Sequence, residues 1–324
     1  MTVWEHCVSK GLRFRLCGGI MRKKALKFLL ILIFCLPCRA AIGTELADVR
    51  AFLIQLGKEI PARPRSALTG SGFAKNVSTM DKSEREQAIL TQFMRGNLPD
   101  FLRRLKPVQF ISKFEDGKTI AVTIFVMPDY LAIGSDRDFL ITPMTLRIAS
   151  EIAIRFGFVL PTKKIVDAIF EQSEFHFKPN PMTPGPQMGS VAYFLKHAQK
   201  IEEQRRTSAY PLGALVSGHK KDVVLTNRLA GALGKIAIYG WHWLSGIPIQ
   251  PLSTIHGKDY VDYSHGIRLV SDTVLIDGEP RSIYEVLEDP KLATILSDEG
   301  PIRMVRQLMT TRHPYSIRPA SASF

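Results

Sequence analysis

Beyond residue 38 the 324-residue chain contains no cysteine; its four lie at Cys7, Cys17, Cys35 and Cys38. It also lacks any apolar run near the ~20 residues that a membrane-spanning helix needs. The longest, over 28–36, is about half that length. No RNP, KH or zinc-finger pattern is present, so no nucleic-acid partner is expected. Neither the H-x-x-x-H nor the H-E-x-x-H spacing of helical metal sites occurs, and there is no internal repeat.

What is present at the start is a targeting pattern. Met21 opens a basic run (Arg22, Lys23, Lys24, Lys27), the apolar stretch 28–36 follows, and small residues come at Cys38 and Ala40. A basic region, an apolar region and an A-x-A-like site in that order read as a secretory signal peptide over about 21–40, with an upstream extension before Met21. An uncleaved N-terminal anchor is the alternative for the same segment. Cleavage near Ala40 would remove every cysteine, and with them any disulfide, thiolate nucleophile or cysteine-ligated metal. It would also lower the net charge from +13 to +6, since 35 basic and 29 acidic residues remain after residue 40. An exported, mildly basic protein without a stable membrane span meets envelope polymers and glycans.

The rest of the chain alternates patterns. A 3.6-residue apolar period over 45–58 predicts an amphipathic helix that Pro61 and Pro64 end. Ser83 and Glu86 have capping-box spacing for a helix running to Gly96. Strands over 108–114 and 119–127 flank a turn at Asp116 and Gly117, and the second is apolar enough to be buried on both faces. Helices follow over 143–156, stopped by Gly157, from Thr162 as N-cap, and over 189–206. Four prolines over 179–186 mark a surface loop or lid. From Ala214 onward short strands dominate, ending in short helices over 281–287 and 291–296. The predicted class is α+β: a helical N-terminal half around a short β-hairpin, then a mostly β region with short terminal helices. The predicted segments are 1–40 (extension and signal peptide), 41–106 (helical), 107–210 (α+β core), 211–312 (β-rich, carrying the candidate site) and 313–324 (flexible tail).

Segment 239–270 holds three of the eight histidines, with carboxylates, tyrosines and an arginine between them. Here His256, Asp262 and His265 are the candidate catalytic residues. If 260–264 is extended, Tyr260, Asp262 and Ser264 share a face. Arg268, with its fixed fork of donors, joins Tyr263, Ser264, Tyr239 and Trp241 as candidate substrate contacts. Two chemistries fit these types. His242, His256 and His265 could hold zinc or another divalent ion, with Asp262, that activates a water; or a histidine ordered by Asp262 could act as general base. Ser264 is poorly placed as a nucleophile served by the adjacent His265. Gly218 to Asp222 reads as a solvated loop, with capture of an anionic ligand as its alternative.

The run Ile255, His256, Gly257, then Ser264, His265, Gly266, Ile267, Arg268, resembles the signature of the YkuD-type L,D-transpeptidases. Those secreted enzymes cross-link or trim peptidoglycan, and the resemblance places His256, Ser264, His265, Gly266 and Arg268 on their motif. It departs where it matters most: Ile267 stands where that family carries its catalytic cysteine, and the spacer is shorter. The standard transpeptidase reaction is therefore not implied. The wider pattern around Met127–Asp136, His219–Val224, Tyr239–His242 and Asp262–Gly266 is similar to secreted bacterial proteins of unassigned function.

Two functions follow as expectations. One is a periplasmic or secreted hydrolase of a cell-wall or other extracellular polymer, its histidines and Asp262 converging in one cleft. The other is a non-catalytic envelope protein that binds glycan or peptidoglycan on exposed Trp241, Trp243, Tyr260 and Tyr263.

Overall fold

The computed structural model describes residues 51–303 and Val305, except Glu115 and Leu233. The expected signal peptide over 21–40, the first turns of the 45–58 helix and the tail over 313–324 lie outside them. Residues 52–56 are helical, as the apolar period predicts.

Helix α1 (Gly70–Val77) is capped by the Thr69 side chain, and α2 (Lys82–Met94) by Asp81. Asp81 and Glu84 form the reciprocal capping box, two residues before the predicted pair. Glu86 is instead buried and accepts hydrogen bonds from the Thr145 backbone N (2.9 Å) and Oγ1 (2.6 Å). Strands β1 (Lys106–Lys113) and β2 (Thr119–Val126) form the predicted hairpin. A second hairpin joins β3 (Ala132–Ser135) to β4 (Asp138–Ile141). Helix α3 (Leu146–Phe156) ends at Gly157, whose φ of 77° suits a residue without a Cβ. Then come β5 (Phe158–Val159), α4 (Lys163–Gln172, capped by Thr162), β6 (Phe175–His176) and α5 (Val191–Thr207). Strands β7 (Val216–Ser217), β8 (Lys221–Val223), β9 (Ile238–His242), β10 (Pro248–Ser253), β11 (His265–Gly266), β12 (Val270–Ile276) and β13 (Glu279–Ser282) follow before α6 (Ile283–Glu288), with one short 3-10 helix, Asn227–Leu229, between β8 and β9.

The expected class needs correction. Among the described residues the protein is mostly β, with several sheets and short helices, and a helical N-terminal half is not supported. The β1–β2 hairpin is not an island among helices. It supplies two strands of a five-stranded sheet in the order β1-β2-β12-β13, with β5 also on β12. Pairings such as Val126 with Val270 join residues far apart in the chain, and no local periodicity announces them. The short strands of the second sheet, β10-β9-β8-β11, are equally hard to see locally. β2 is central, but only its last three residues are continuously buried; its first half alternates. The proline-rich loop is fastened: Met182 N donates to the Tyr263 hydroxyl (2.7 Å) and the Tyr193 hydroxyl to Thr183 O (2.6 Å).

Helix α4 packs on β9 and β1, and α5 packs on β4 and α1, so the second sheet lies between functional side chains from both helices. Each buried Ile, Leu or Phe of this core contributes about 1.5–3 kcal/mol. That contribution supports an unusual load of buried polar groups: Asp129, His197, His219, Lys220, Asp222, Asp262, His265 and Arg268 are all at most 3% exposed. No helix among the described residues is long and apolar enough to cross a membrane.

Candidate functional site

The second sheet sorts the sequence-predicted residues onto two faces. Across the ladder, Asp222 pairs with Tyr239 and Gly266, while Lys221 pairs with Gly240 and His265. Directly paired residues share a face. Along β9 the alternation breaks, because Gly240 (φ 100°) and Trp241 (φ 56°) both take left-handed backbone. Such a φ is costly for a tryptophan, and it re-aims two side chains. Trp241 turns to the Lys221 face, where the Lys221 ammonium lies 5.5 Å from its ring. His242 returns to the Tyr239 face, 5.5 Å from that ring.

On the first face, α4 presents Asp167 toward His242. Asp167 Oδ1 accepts from the Tyr239 hydroxyl (2.7 Å) and lies 3.2 Å from His242 Nε2; Oδ2 accepts from Lys163 Nζ (2.8 Å). Burial pushes the Asp167 carboxyl up, but the hydrogen bonds from His242, Lys163 and Tyr239 outweigh it and hold its pKa below the usual value. A carboxylate can only accept, so the His242 ring carries its proton on Nε2 and leaves Nδ1 as a base. Phe170 stacks on the other side of this imidazole, centroids 4.6 Å apart. Asp167, Tyr239, His242, Phe170, His176 and Glu171 line an open cleft of about 510 Å³.

Behind His242 and Phe170 lies a chamber of about 10 Å³ walled by Tyr130, Ser217, Asp222 and Arg268, about the room one water needs. Asp222 is 3% exposed. Its Oδ2 accepts from the Tyr130 hydroxyl (2.8 Å), whereas Oδ1 has no hydrogen-bond partner, the nearest cation being Arg268 Nε at 4.0 Å. Burial dominates, and the Asp222 carboxyl is pushed up to about 6 despite Arg268 and Tyr130. Arg268 stacks over the Tyr130 ring at 4.4 Å and donates to Met127 O (2.9 Å) and Val216 O (2.7 Å). A Cβ on Gly266 would stand 2.6 Å from the Tyr130 ring, so only glycine lets this layer close.

Asp222 ends the stretch expected to be a solvated loop, and the structure corrects that expectation. Ser217, His219, Lys220 and Asp222 are buried. His219 Nε2 lies 2.9 Å from Asp129 Oδ1, whose Oδ2 accepts from Arg205 Nη2 (2.7 Å). Burial raises the Asp129 pKa, but His219, Arg205 and Arg268 together bring it well below the ordinary carboxylate value. Lys220 Nζ donates to Tyr263 O (2.5 Å), and burial lowers its pKa to about 7. Asp129, Tyr130, Asp167 and Asp222 were the residues that sequence reasoning missed. The one available signal was the apolar run from Val223 directly after Asp222, which tethers the polar stretch to a buried strand.

The second face gathers the predicted catalytic residues, but as a turn. Asp262 Oδ1 accepts from both the backbone N (2.6 Å) and Oγ (2.5 Å) of Ser264, an Asx turn in place of an extended strand. Asp262 Oδ2 accepts from the Tyr260 hydroxyl (3.0 Å) and lies 3.8 Å from His265 Nε2. His256 stacks flat on Tyr260, centroids 3.9 Å apart. His265 is wholly buried with neither ring nitrogen hydrogen-bonded, and burial lowers its pKa to about 4. The structure thus brings together His256, Asp262, Ser264 and His265, and places His242 on the opposite face. No group of three or more His, Cys, Asp or Glu among the described residues is arranged to hold a metal ion. Of the expected substrate contacts, only Tyr239 reaches the cleft. Arg268, Tyr263, Trp241 and Ser264 are buried. With Trp241 and Tyr263 inside, the expected aromatic platform reduces to Trp243, 42% exposed, and half-buried Tyr260.

His197 on α5 closes the inner side of this face, edge-on to Tyr263 (4.9 Å) and Trp241 (6.1 Å), with Nδ1 unpartnered. Burial drives its pKa far below the ordinary 6.5. The folded state keeps this ring neutral while the unfolded chain protonates it, so its contribution is present above pH 6.5 and lost as pH falls. The loss is about 1.4 kcal/mol per pH unit below the unfolded value. His197→Phe, which keeps the ring contacts, is expected to gain about 2 kcal/mol relative to the parent between pH 6.5 and 4.5. Urea unfolding at a series of pH values checks this.

Comparison with protein families, with curated proteins and with solved structures finds no match for the chain.

Proposed function

We propose that the chain is an exported hydrolase of a cell-wall or other extracellular polymer, with His242 as general base in the Asp167–Tyr239 cleft. The basic and apolar pattern over 21–40 supports export. The observation that carries the reaction is the pair of carboxyls flanking His242, driven in opposite directions: Asp167 held low, Asp222 raised to about 6. Such divergent environments around one basic group mark acid–base sites.

The chemistry balances with the chain's own groups. Asp167 fixes the tautomer, and Nδ1 takes a proton from a water that attacks the scissile bond. The imidazolium formed is stabilised by Asp167 and by ionised Asp222, then returns its proton to the leaving group. Asp222 is sealed behind the ring, so it acts through His242 as a positioning and charge-balancing residue. The test is release of soluble fragments from purified peptidoglycan by the full chain and by His242→Ala. Release by the parent and its loss in the variant support the proposal. Equal release by both, or none by the parent, overturns it.

A further inference from the structure

The cleft in front of His242 has a charge of one sign. Its lining carries two carboxylates, Asp167 and Glu171, and neither lysine nor arginine. The two stand one turn apart on α4, where like charges repel. Asp167 is engaged by Tyr239, His242 and Lys163. Lys163, one turn earlier, divides its ammonium between Asp167 (2.8 Å) and Asp298 (3.0 Å), and Lys164 donates to Thr294 O (2.5 Å). The helix thus leaves Glu171 unneutralised. Among the described residues this exposed carboxylate forms neither an ion pair nor a hydrogen bond.

The same cleft offers acceptors. His176 Nε2 lies 2.7 Å from Phe170 O. A carbonyl can only accept, so this ring carries its proton on Nε2, and in its neutral form Nδ1 is an acceptor. The rings of His176 and His242 lie 4.4 and 4.6 Å from that of Phe170, which links the two histidines. His242 Nδ1 is kept for the attacking water. A further wall is apolar. Leu244, from the turn between β9 and β10, is 62% exposed there, and no charged residue occurs from Tyr239 to Ile255. A free carboxylate and a free acceptor beside an apolar wall match a group that brings only donors and a positive charge on an apolar stem: an aliphatic primary ammonium.

We propose that the cleft selects substrates bearing an aliphatic primary amine, whose ammonium pairs with Glu171 and donates to His176 Nδ1 while its stem lies on Leu244. The inference rests on the His242 reading for its place beside the reacting bond, and its test separates the two. In ¹⁵N NMR of the full chain at pH 8, pentylammonium is expected to shift the His176 ring saturably, and pentanol and pentanoate to leave it unchanged. Glu171→Gln, an exposed change that keeps the shape, is expected to weaken pentylammonium about tenfold, the loss of one charge-assisted hydrogen bond. On purified peptidoglycan, release of fragments should fall severalfold once free amines are acetylated, and Glu171→Gln should release equally from both forms. Pentylammonium binding that Glu171→Gln weakens, with no release from any peptidoglycan, supports the amine subsite and overturns the hydrolase. No saturable binding, equal affinity in Glu171→Gln, or equal release by the parent from native and acetylated polymer overturns the inference and leaves the hydrolase standing wherever release depends on His242.

Discussion

Arg268→Ala is expected to cost about 3–5 kcal/mol of folding stability, enough to leave little native protein at 37 °C. The guanidinium is 1% exposed and donates to two buried carbonyls, Met127 O and Val216 O. Each acceptor left dry costs about 1–3 kcal/mol. The same group lies 4.0 Å from Asp222 Oδ1 and 4.4 Å from the Tyr130 ring. Its loss leaves a buried carboxyl without its nearest cation and a cavity in the layer beneath. Arg268→Lys should recover only part of the loss, since an ammonium cannot reach both carbonyls in the plane a guanidinium offers. Urea unfolding of both variants reads the effect. Stability within 1 kcal/mol of the parent in Arg268→Ala would show that water replaces the group, and that the chamber is not sealed.

The second large effect is on rate. His242→Ala is expected to lower hydrolysis at pH 7 by about 10²–10⁴, the usual range for a lost general base. The variant should stay folded, because His242 makes one side-chain hydrogen bond among the described residues, to Asp167. Asp222→Asn keeps the shape and an acceptor for Tyr130 but removes the charge. It is expected to lose about tenfold at pH 7, equivalent to about 1.4 kcal/mol of charge stabilisation in the transition state. The difference has a sign in pH. The folded Asp222 carboxyl titrates at about 6, so below that value the parent also carries a neutral group. The ratio of parent to Asp222→Asn should therefore shrink as pH falls through 6 and approach one near pH 5. The stability linkage runs the other way: because burial raises this carboxyl, its contribution is greatest in acid and is lost as pH rises through 6. A faster reaction at neutral pH is thus obtained at some cost in stability from the same residue.

What the sequence made legible was local. The Thr162 cap, the Gly157 stop and the β1–β2 hairpin depend on neighbours a few residues apart, and all stand where turn and cap chemistry place them. The Asp81 cap escaped because Ser83 with Glu86 has the same spacing, and only tertiary structure shows Glu86 turned inward to Thr145. The sheet order escaped because β12 reaches β2 across 144 residues, from Val126 to Val270. The site was half legible. His256, Asp262, Ser264 and His265 do assemble: an Asx turn holds Asp262 to Ser264 beside His265, and His256 joins them by stacking on Tyr260. His242 was expected beside them, and strand alternation carried past Trp241 cannot foresee the two left-handed residues that send it to the other face. Asp167 and Asp222 come from a helix and from a polar stretch that looked like surface. A run such as Gly218 to Asp222 reads as a loop because burying it requires Asp129, Tyr130, Arg205 and Arg268, all supplied by distant segments.

The measurement closest to the central claim needs no substrate: a ¹⁵N NMR titration of the His242 imidazole in the full chain, beside Asp222→Asn. The expected result is a proton on Nε2, fixed by Asp167, and ring shifts that differ between the parent and Asp222→Asn at pH 8 and converge as pH falls through 6, where the Asp222 carboxyl becomes neutral. A ring protonated on Nδ1, or one whose shifts at pH 8 are the same in both proteins, would contradict it.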